Sequence, residues 1–282
     1  MSAAVAQCAD RLATAGVDSA RLEAEIFTAH VLQKPRSYLY AHGEELLPKA
    51  SAQQLHTLAA ARCRGEPVAY LVKHCEFWSL PLYVDQRVLI PRPATECLVE
   101  AILELPLATS AHVVDLGAGS GAIALALACE RQCWHVTATD RSPGALQVVR
   151  RNIDSLLAVG KLKRAPLLMQ ANWLGACAGS RFDLVVANPP YIAQNDAHLQ
   201  CGDLRFEPLN ALASGEDGFS DLFTLCRQAQ HCLKAGGYLA LEHGYTQQAG
   251  LVAIIKEQQF EVCAKGSDLA GQPRFVIAQK IA

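Results

Sequence analysis

The chain has 282 residues, 51% of them hydrophobic and 18% charged, longer than the roughly 100–150 residues of one typical domain and too apolar for a disordered chain. Its longest apolar run, Ala122 to Cys129, falls well short of the roughly 18 residues that a membrane span needs. A net charge of −2 and a pI near 6.5 exclude a generally basic nucleic-acid coat, and the local run Lys161-Leu-Lys-Arg164 reads as a solvated helix end.

Met1-Ser-Ala-Ala-Val-Ala-Gln7 lacks a basic region followed by an apolar core. Neither a secretory signal nor an Arg-rich transit peptide is legible, so cytoplasmic residence is the expectation. The eleven cysteines include no CxxC pair and no accompanying His pair. No metal site is therefore expected, and the thiols read as small core hydrophobes of a reducing compartment.

The first seventy residues carry helical spacing. Leu22, Ile26 and Ala29 share one face of a segment opened by Asp18 or Ser19, and Ser51-Ala-Gln-Gln54 has the form of a capping box before Leu55, Leu58 and Ala59. Residues 1–80 hold eight Lys/Arg and eight Asp/Glu, so this helical unit shows no net charge toward a partner. From Gly65 to Pro93 the β-formers Val68, Tyr70, Leu71, Phe77, Trp78, Leu80, Leu82 to Val84 and Val88 to Ile90 predict a β-hairpin linker, with turns at Pro81 and at residues 85–87.

From His112 strands and helices alternate: Val113-Val114, Ser120 to Glu130, His135 to Thr139, Ser142 to Leu157, then buried strands at Leu167 to Met169 and Phe182 to Ala187. Phe219 to Leu233 is predicted helical up to a Gly236-Gly237 stop, followed by a strand from Tyr238, a helix over Gln247 to Gln258 and two terminal strands. This alternation predicts an α/β fold with a doubly wound, mostly parallel sheet, ligands binding at the carboxyl ends of its strands.

Asp115-Leu-Gly117-Ala118-Gly119-Ser-Gly121 joins a strand to a helix, and glycines there allow a tight turn and close approach of a ligand to backbone amides. The next strand ends at Asp140, nineteen residues beyond Gly121, placed to accept hydrogen bonds from both hydroxyls of a ribose. A nicotinamide enzyme stays open on this loop alone. The acid at Asp115 favours S-adenosylmethionine, whose ammonium and sulfonium charges suit an anion that would repel a pyrophosphate.

The strand Phe182 to Ala187 ends in Asn188-Pro189-Pro190-Tyr191. The prolines fix consecutive φ angles. A planar amide or aromatic amine is a poor nucleophile, because its lone pair is delocalised. If the Asn188 side-chain oxygen and the Pro189 carbonyl each accept one N–H, the nitrogen is held with its lone pair toward a methyl donor. Tyr191 is read as the far wall against the planar group.

Together Gly65-Glu-Pro-Val-Ala-Tyr-Leu71, Glu76-Phe-Trp78, Leu89-Ile-Pro-Arg-Pro93, Asp115 to Gly121, Asn188 to Ile192, Arg205-Phe-Glu-Pro208 and Leu241-Glu-His-Gly244 resemble the peptide chain release factor glutamine methyltransferases over nearly the whole chain. The resemblance implies a seven-stranded, Rossmann-like S-adenosylmethionine-dependent methyltransferase domain over 94–282. Before it would stand a helical substrate-recognition domain over 1–70 and a β-hairpin linker over 71–93. It implies methyl transfer to the glutamine amide of the Gly-Gly-Gln motif in class I release factors. The neutral charge of the helical unit disfavours stable nucleic-acid binding, and a monomer is expected. Asn172 and Trp173 would join Asp115, Gly117, Ala118, Gly119, Gly121, Asp140 and Asn188 in holding the cofactor, and Asn188 to Tyr191 would hold the substrate. Lys73 stands where the family usually has Gly, Ala94 where it has an acid, and Asn172 where an acid is expected near the adenine amine. A ribosomal-protein glutamine methyltransferase and an RNA or DNA adenine methyltransferase are the alternative readings, and His243 reads as structural.

Overall fold

The computed structural model describes residues 1–175 and 179–281, in two compact units, Met1–His74 and Cys75–Ala282. Cys177 lies outside the described residues; the ten other cysteines are thiols, with Cys8, Cys226 and Cys232 buried in the cores.

The first unit is helical: α1 (Ser2–Thr14), α2 (Ala20–Leu32), α3 (Arg36–Ala41), α4 (Lys49–Cys63) and α5 (Val68–Val72). Its core gathers Val5, Leu12, Ala24, Phe27, Leu55 and Ala59. Two details differ from the sequence reading. Leu22 is 42% exposed, because the buried side of α2 also holds two carboxylates: Glu23 is paired with Arg62 at 2.7 Å, and Glu25 meets Arg21, Arg36 and the Tyr40 hydroxyl at 2.8–2.9 Å. In addition, α4 starts at Lys49 after an extended Pro48, which leaves Ser51 inside the helix rather than capping it.

The predicted hairpin is shorter than expected. Val68 to Val72 is helical, because Pro67 presets its entry and the apolar side packs on the core of the first unit, Val72 being buried. This overrides β propensity. Lys73 ends the helix in the left-handed region at φ 57°.

The second unit opens with the hairpin β1 (Cys75–Phe77) and β2 (Leu80–Leu82), turned by Trp78 and Ser79, both left-handed at φ 53° and 55°. Pro81 thus lies within β2, opposite Glu76, and residues 84–90 are irregular. The turn is tied down by two acids: Glu96 accepts from the Trp78 backbone N–H and Glu130 from its indole N–H, each at 2.8 Å.

Then follow α6 (Pro93–Leu103), β3 (His112–Leu116), α7 (Ala122–Glu130), β4 (His135–Asp140), α8 (Pro143–Ala158), β5 (Leu167–Gln170), β6 (Phe182–Ala187), α9 (Ser220–Cys232), β7 (Leu233–Glu242), α10 (Gln248–Glu257), β8 (Phe260–Ser267) and β9 (Pro273–Lys280). The seven-stranded sheet has the order β5-β4-β3-β6-β7-β9-β8, parallel from β5 to β7 and antiparallel at β9 and β8. Alternate residues face opposite layers: Val113, Leu184 and Val186 meet α6, α7 and α8 through Leu98, Leu127 and Ile153. On the other face Val114, Leu116 and Val185 meet α9 and α10 through Leu225 and Ile255.

Two strand expectations are corrected. β5 is an edge strand rather than a buried one, with Leu167 66% exposed. Gly236-Gly237 does not stop a helix; both lie in β7, where β6 pairs Phe182 with Leu233 and then Leu184 with Tyr238. The extra residues of β7 bulge there, and a Cβ on Gly237 would come within 3.2 Å of the Asp183 carbonyl oxygen.

Candidate active site

The carboxyl ends of β3, β4 and β6 converge on a cavity of about 300 Å³ bordered by Gly117, Gly119, Asp140, Asn172, Trp173 and Asn188. Gly117 and Gly119 adopt φ of 69° and 57°, values that L side chains rarely reach. A Cβ at Gly117 would also stand 3.0 Å from the Trp173 ring. Gly121, by contrast, faces away from the cavity: a Cβ there would meet Val149 of α8 at 2.9 Å.

Asp140, at the end of β4, is 9% exposed. One carboxylate oxygen accepts from the Gly119 N–H at 3.0 Å and the other from the Ser142 N–H at 2.8 Å. Both contacts are to fixed backbone, so the carboxylate is oriented before any ligand arrives. Trp173 has φ 52°, and its indole N–H donates to Asp221 of α9 at 3.0 Å, which holds the ring on edge against the glycine loop.

Asp115 is buried and accepts from the Ala124 N–H at 3.0 Å. Burial pushes its carboxyl up to about 7, against that hydrogen bond. With Ala118, Thr95 and Asn188 it borders a second cavity of about 50 Å³, not the larger one. A third, of about 60 Å³, is bordered by Arg92, Leu212 and the whole of Asn188 to Tyr191. Asn188 is thus a wall of all three.

Several groups around Asn188 carried no chemical role in the sequence reading. The Asn188 amide nitrogen donates to Thr95 Oγ1 at 3.2 Å, and that hydroxyl donates to Glu242 Oε2 at 2.7 Å. The Tyr191 hydroxyl donates to Glu242 Oε1 at 3.3 Å. Burial pushes the Glu242 carboxyl up to about 7, opposed by these hydrogen bonds, by the charge of Arg274 and by the Asn188 amide, which bears on the carboxylate directly as well as through Thr95. Gln247 accepts from the Gly244 N–H at 2.9 Å and donates to the Tyr191 carbonyl at 3.0 Å. Gly218 closes on that same carbonyl oxygen, where a Cβ would be 2.3 Å away. Arg92 pairs with the buried Glu207. The available signals were an acid ending a buried strand, at Glu242, and two family motifs, at Arg92 and Glu207. His243 is fully buried, with Nδ1 2.8 Å from the Gly244 carbonyl oxygen.

The donor set fits S-adenosylmethionine: a preset carboxylate for the ribose diol, an indole beside the glycine loop for the adenine, and one buried acid, Asp115, on the small cavity next to Asn188. Fold and site together define an S-adenosylmethionine-dependent methyltransferase. Residues 3–72 match the family described as the PrmC N-terminal domain and residues 92–207 the methyltransferase small domain. A methyltransferase structure from Pyrococcus furiosus shares the fold, with a TM-score of 0.52 and 18% identity over 72% of this chain and 90% of that one. The release factor glutamine methyltransferase of Salmonella typhimurium is 45% identical over 91% of both chains. That of Vibrio cholerae is 40% identical over 99% of this chain and 96% of its own. The chain belongs to the release factor glutamine methyltransferase family.

Proposed function

We propose that this protein methylates the side-chain amide nitrogen of the glutamine in the Gly-Gly-Gln motif of class I peptide chain release factors, as a cytoplasmic monomer without a stable nucleic-acid partner. The observation that carries the reading is the place of Asn188, common to the large cavity and to the two small ones beside it.

When bound, S-adenosylmethionine supplies an electrophilic methyl group on a sulfonium. Asp140 accepts from the ribose hydroxyls, and Trp173 with Asn172 walls the adenine. Asn188 Oδ1 and the Pro189 carbonyl accept the two N–H groups of the glutamine amide and fix the nitrogen for attack. Alkylated nitrogen is acidic and gives its proton to water, so no strong base is needed. Tyr191 keeps its hydroxyl on Glu242 and presents its ring as a wall of the third cavity.

These residues recognise a primary amide and nothing of its surroundings. Selection of one glutamine therefore falls to a narrow path that admits Gly-Gly and to residues 1–70, the helical substrate-recognition domain, gripping the folded release factor at a distance. The test is mass spectrometry of each purified release factor after incubation with the protein and S-adenosylmethionine. A single methyl on the Gly-Gly-Gln glutamine is expected. Methylation of another residue, or of adenine in RNA, overturns the reading. A chain starting at Cys75 should bind S-adenosylmethionine and methylate a short Gly-Gly-Gln peptide, yet act on intact release factor with a greatly raised KM.

A further inference from the structure

We propose that Glu242, acting through Thr95, dictates which way round the Asn188 side-chain amide is held, and is thereby a positioning residue for methyl transfer. The inference rests on the reading of Asn188 Oδ1 as an acceptor for the substrate amide.

The argument is one of hydrogen inventory. Burial pushes the Glu242 carboxyl up to about 7, so above that pH it is ionised and has no hydrogen to give, and each hydroxyl that faces it must donate. Glu242 is faced by two, Thr95 at 2.7 Å on one oxygen and Tyr191 at 3.3 Å on the other. Thr95 has a single hydroxyl hydrogen, and Glu242 takes it. What Thr95 offers Asn188 is then a lone pair, which only the amide nitrogen can use, as it does at 3.2 Å. The reverse orientation would set two oxygens against each other with no proton between them. Oδ1 is left to point at the cavities, where an N–H must be accepted. A turned amide would present N–H to N–H and hold nothing.

Burying a carboxylate is unfavourable, and Glu242 is 1% and Thr95 4% exposed. A glutamine would fill the same space without the charge. It can also donate, however, and so would let Thr95 point its hydrogen at Asn188 Oδ1. Above about pH 7 Glu242 only accepts, and that is what makes the relay run one way. A purely structural tie between β7 and α6 would have no need of it.

The experiment compares Glu242→Gln, Thr95→Val, Thr95→Ser and Asn188→Ala in the full chain at pH 8.5, where Glu242 is ionised, with purified release factor as substrate. Glu242→Gln and Thr95→Val should each lower kcat about ten- to a hundredfold, with KM and the Kd for S-adenosylmethionine within about threefold of wild type. Thr95→Ser, which restores the hydroxyl, should recover most of the loss. Glu242→Gln, relieved of a buried charge, should melt no lower than wild type, so its slow turnover is not a folding defect. If both isosteric variants keep kcat within about twofold while Asn188→Ala abolishes methylation, the relay is wrong and the role of Asn188 stands. A fall in kcat that tracks cofactor affinity or melting temperature also overturns the relay. If Asn188→Ala keeps methylating, the underlying reading fails.

Discussion

Arg92 and Glu207 stand 115 residues apart in the chain and form an ion pair whose carboxylate side chain is wholly buried. The same carboxylate accepts from the Ile90 N–H at 3.3 Å. One contact thereby joins the Ile-Pro-Arg-Pro and Arg-Phe-Glu-Pro segments and braces a wall of the cavity bordered by Asn188 to Tyr191.

Removing one member of such a pair strands a buried charge. Arg92→Met should destabilise the protein by about 3 kcal/mol, whereas the double variant Arg92→Met/Glu207→Gln should recover more than half of that. Urea denaturation of wild type, Arg92→Met, Glu207→Gln and the double variant closes the cycle. A single variant within about 0.5 kcal/mol of wild type would show the pair to be inert.

Asp140 reaches the large cavity already oriented by two backbone N–H groups. Charge-assisted hydrogen bonds to a ribose diol are worth roughly 1.5–3 kcal/mol each. Asp140→Ala should therefore weaken S-adenosylmethionine binding at least about tenfold by calorimetry. Unchanged affinity would remove Asp140 from the cofactor site.

In the proposed function Asn188 serves the acceptor amide, whose alignment matters only as the nitrogen–carbon bond forms. Asn188→Ala should lower kcat by roughly 10²–10³ and leave cofactor affinity within a few fold. Equal losses in both would make it a cofactor residue instead.

Burial pushes Asp115 up to about 7 from the usual 3.8, with nearby Asp140 adding to the rise and the Ala124 N–H opposing it. The folded state thus holds a proton that the unfolded chain releases. The stability this gives is complete below about pH 4 and is lost as pH rises through about 7. Asp115→Asn keeps the acceptor for Ala124 without the charge. Without cofactor, it should melt above wild type at pH 8, with the difference narrowing steadily toward pH 5. A difference independent of pH would mean that Asp115 is not titrating in this range.

Lys73 ends α5 at φ 57°, a conformation that disfavours any side chain. Lys73→Gly should raise stability by about 0.5–1 kcal/mol in chemical denaturation of the full chain, since the left-handed strain removed exceeds the entropy that glycine adds to the unfolded state. A loss of stability would show that the Lys73 stem packs usefully.

What was legible in the sequence is what is local. The glycine loop, the acid at the next strand end and Asn-Pro-Pro-Tyr after β6 each announce themselves within a few residues, and the structure sets Gly117, Gly119, Asp140, Trp173 and Asn188 around one cavity. The groups behind them were not legible. Thr95 and Glu242 are 147 residues apart, and nothing in either neighbourhood says that a threonine at a helix start will meet a strand-end acid. Ala118 and Gly121 belong to the loop but not to the large cavity, because Gly121 serves the packing of α7 on α8. Secondary structure failed where tertiary contact overrode propensity: Val68 to Val72 folds as helix on its own core, and Trp78-Ser79, without a glycine or asparagine, makes the turn because Glu96 and Glu130 tether it.

The place of β5 at the sheet margin changes the meaning of the basic run before it. A marginal strand leaves a row of backbone N–H and C=O groups able to template another chain. This strand is four residues long, and its first residue, Leu167, is 66% exposed. Directly before it stand Pro166, which offers no N–H, and the exposed Lys163 and Arg164. Like charges approaching along that margin repel, and proline interrupts the ladder where a foreign strand would continue it. Lys163 and Arg164 thus suit a charged margin that discourages strand addition, a job for which neither an overall basic charge nor a nucleic-acid partner is required.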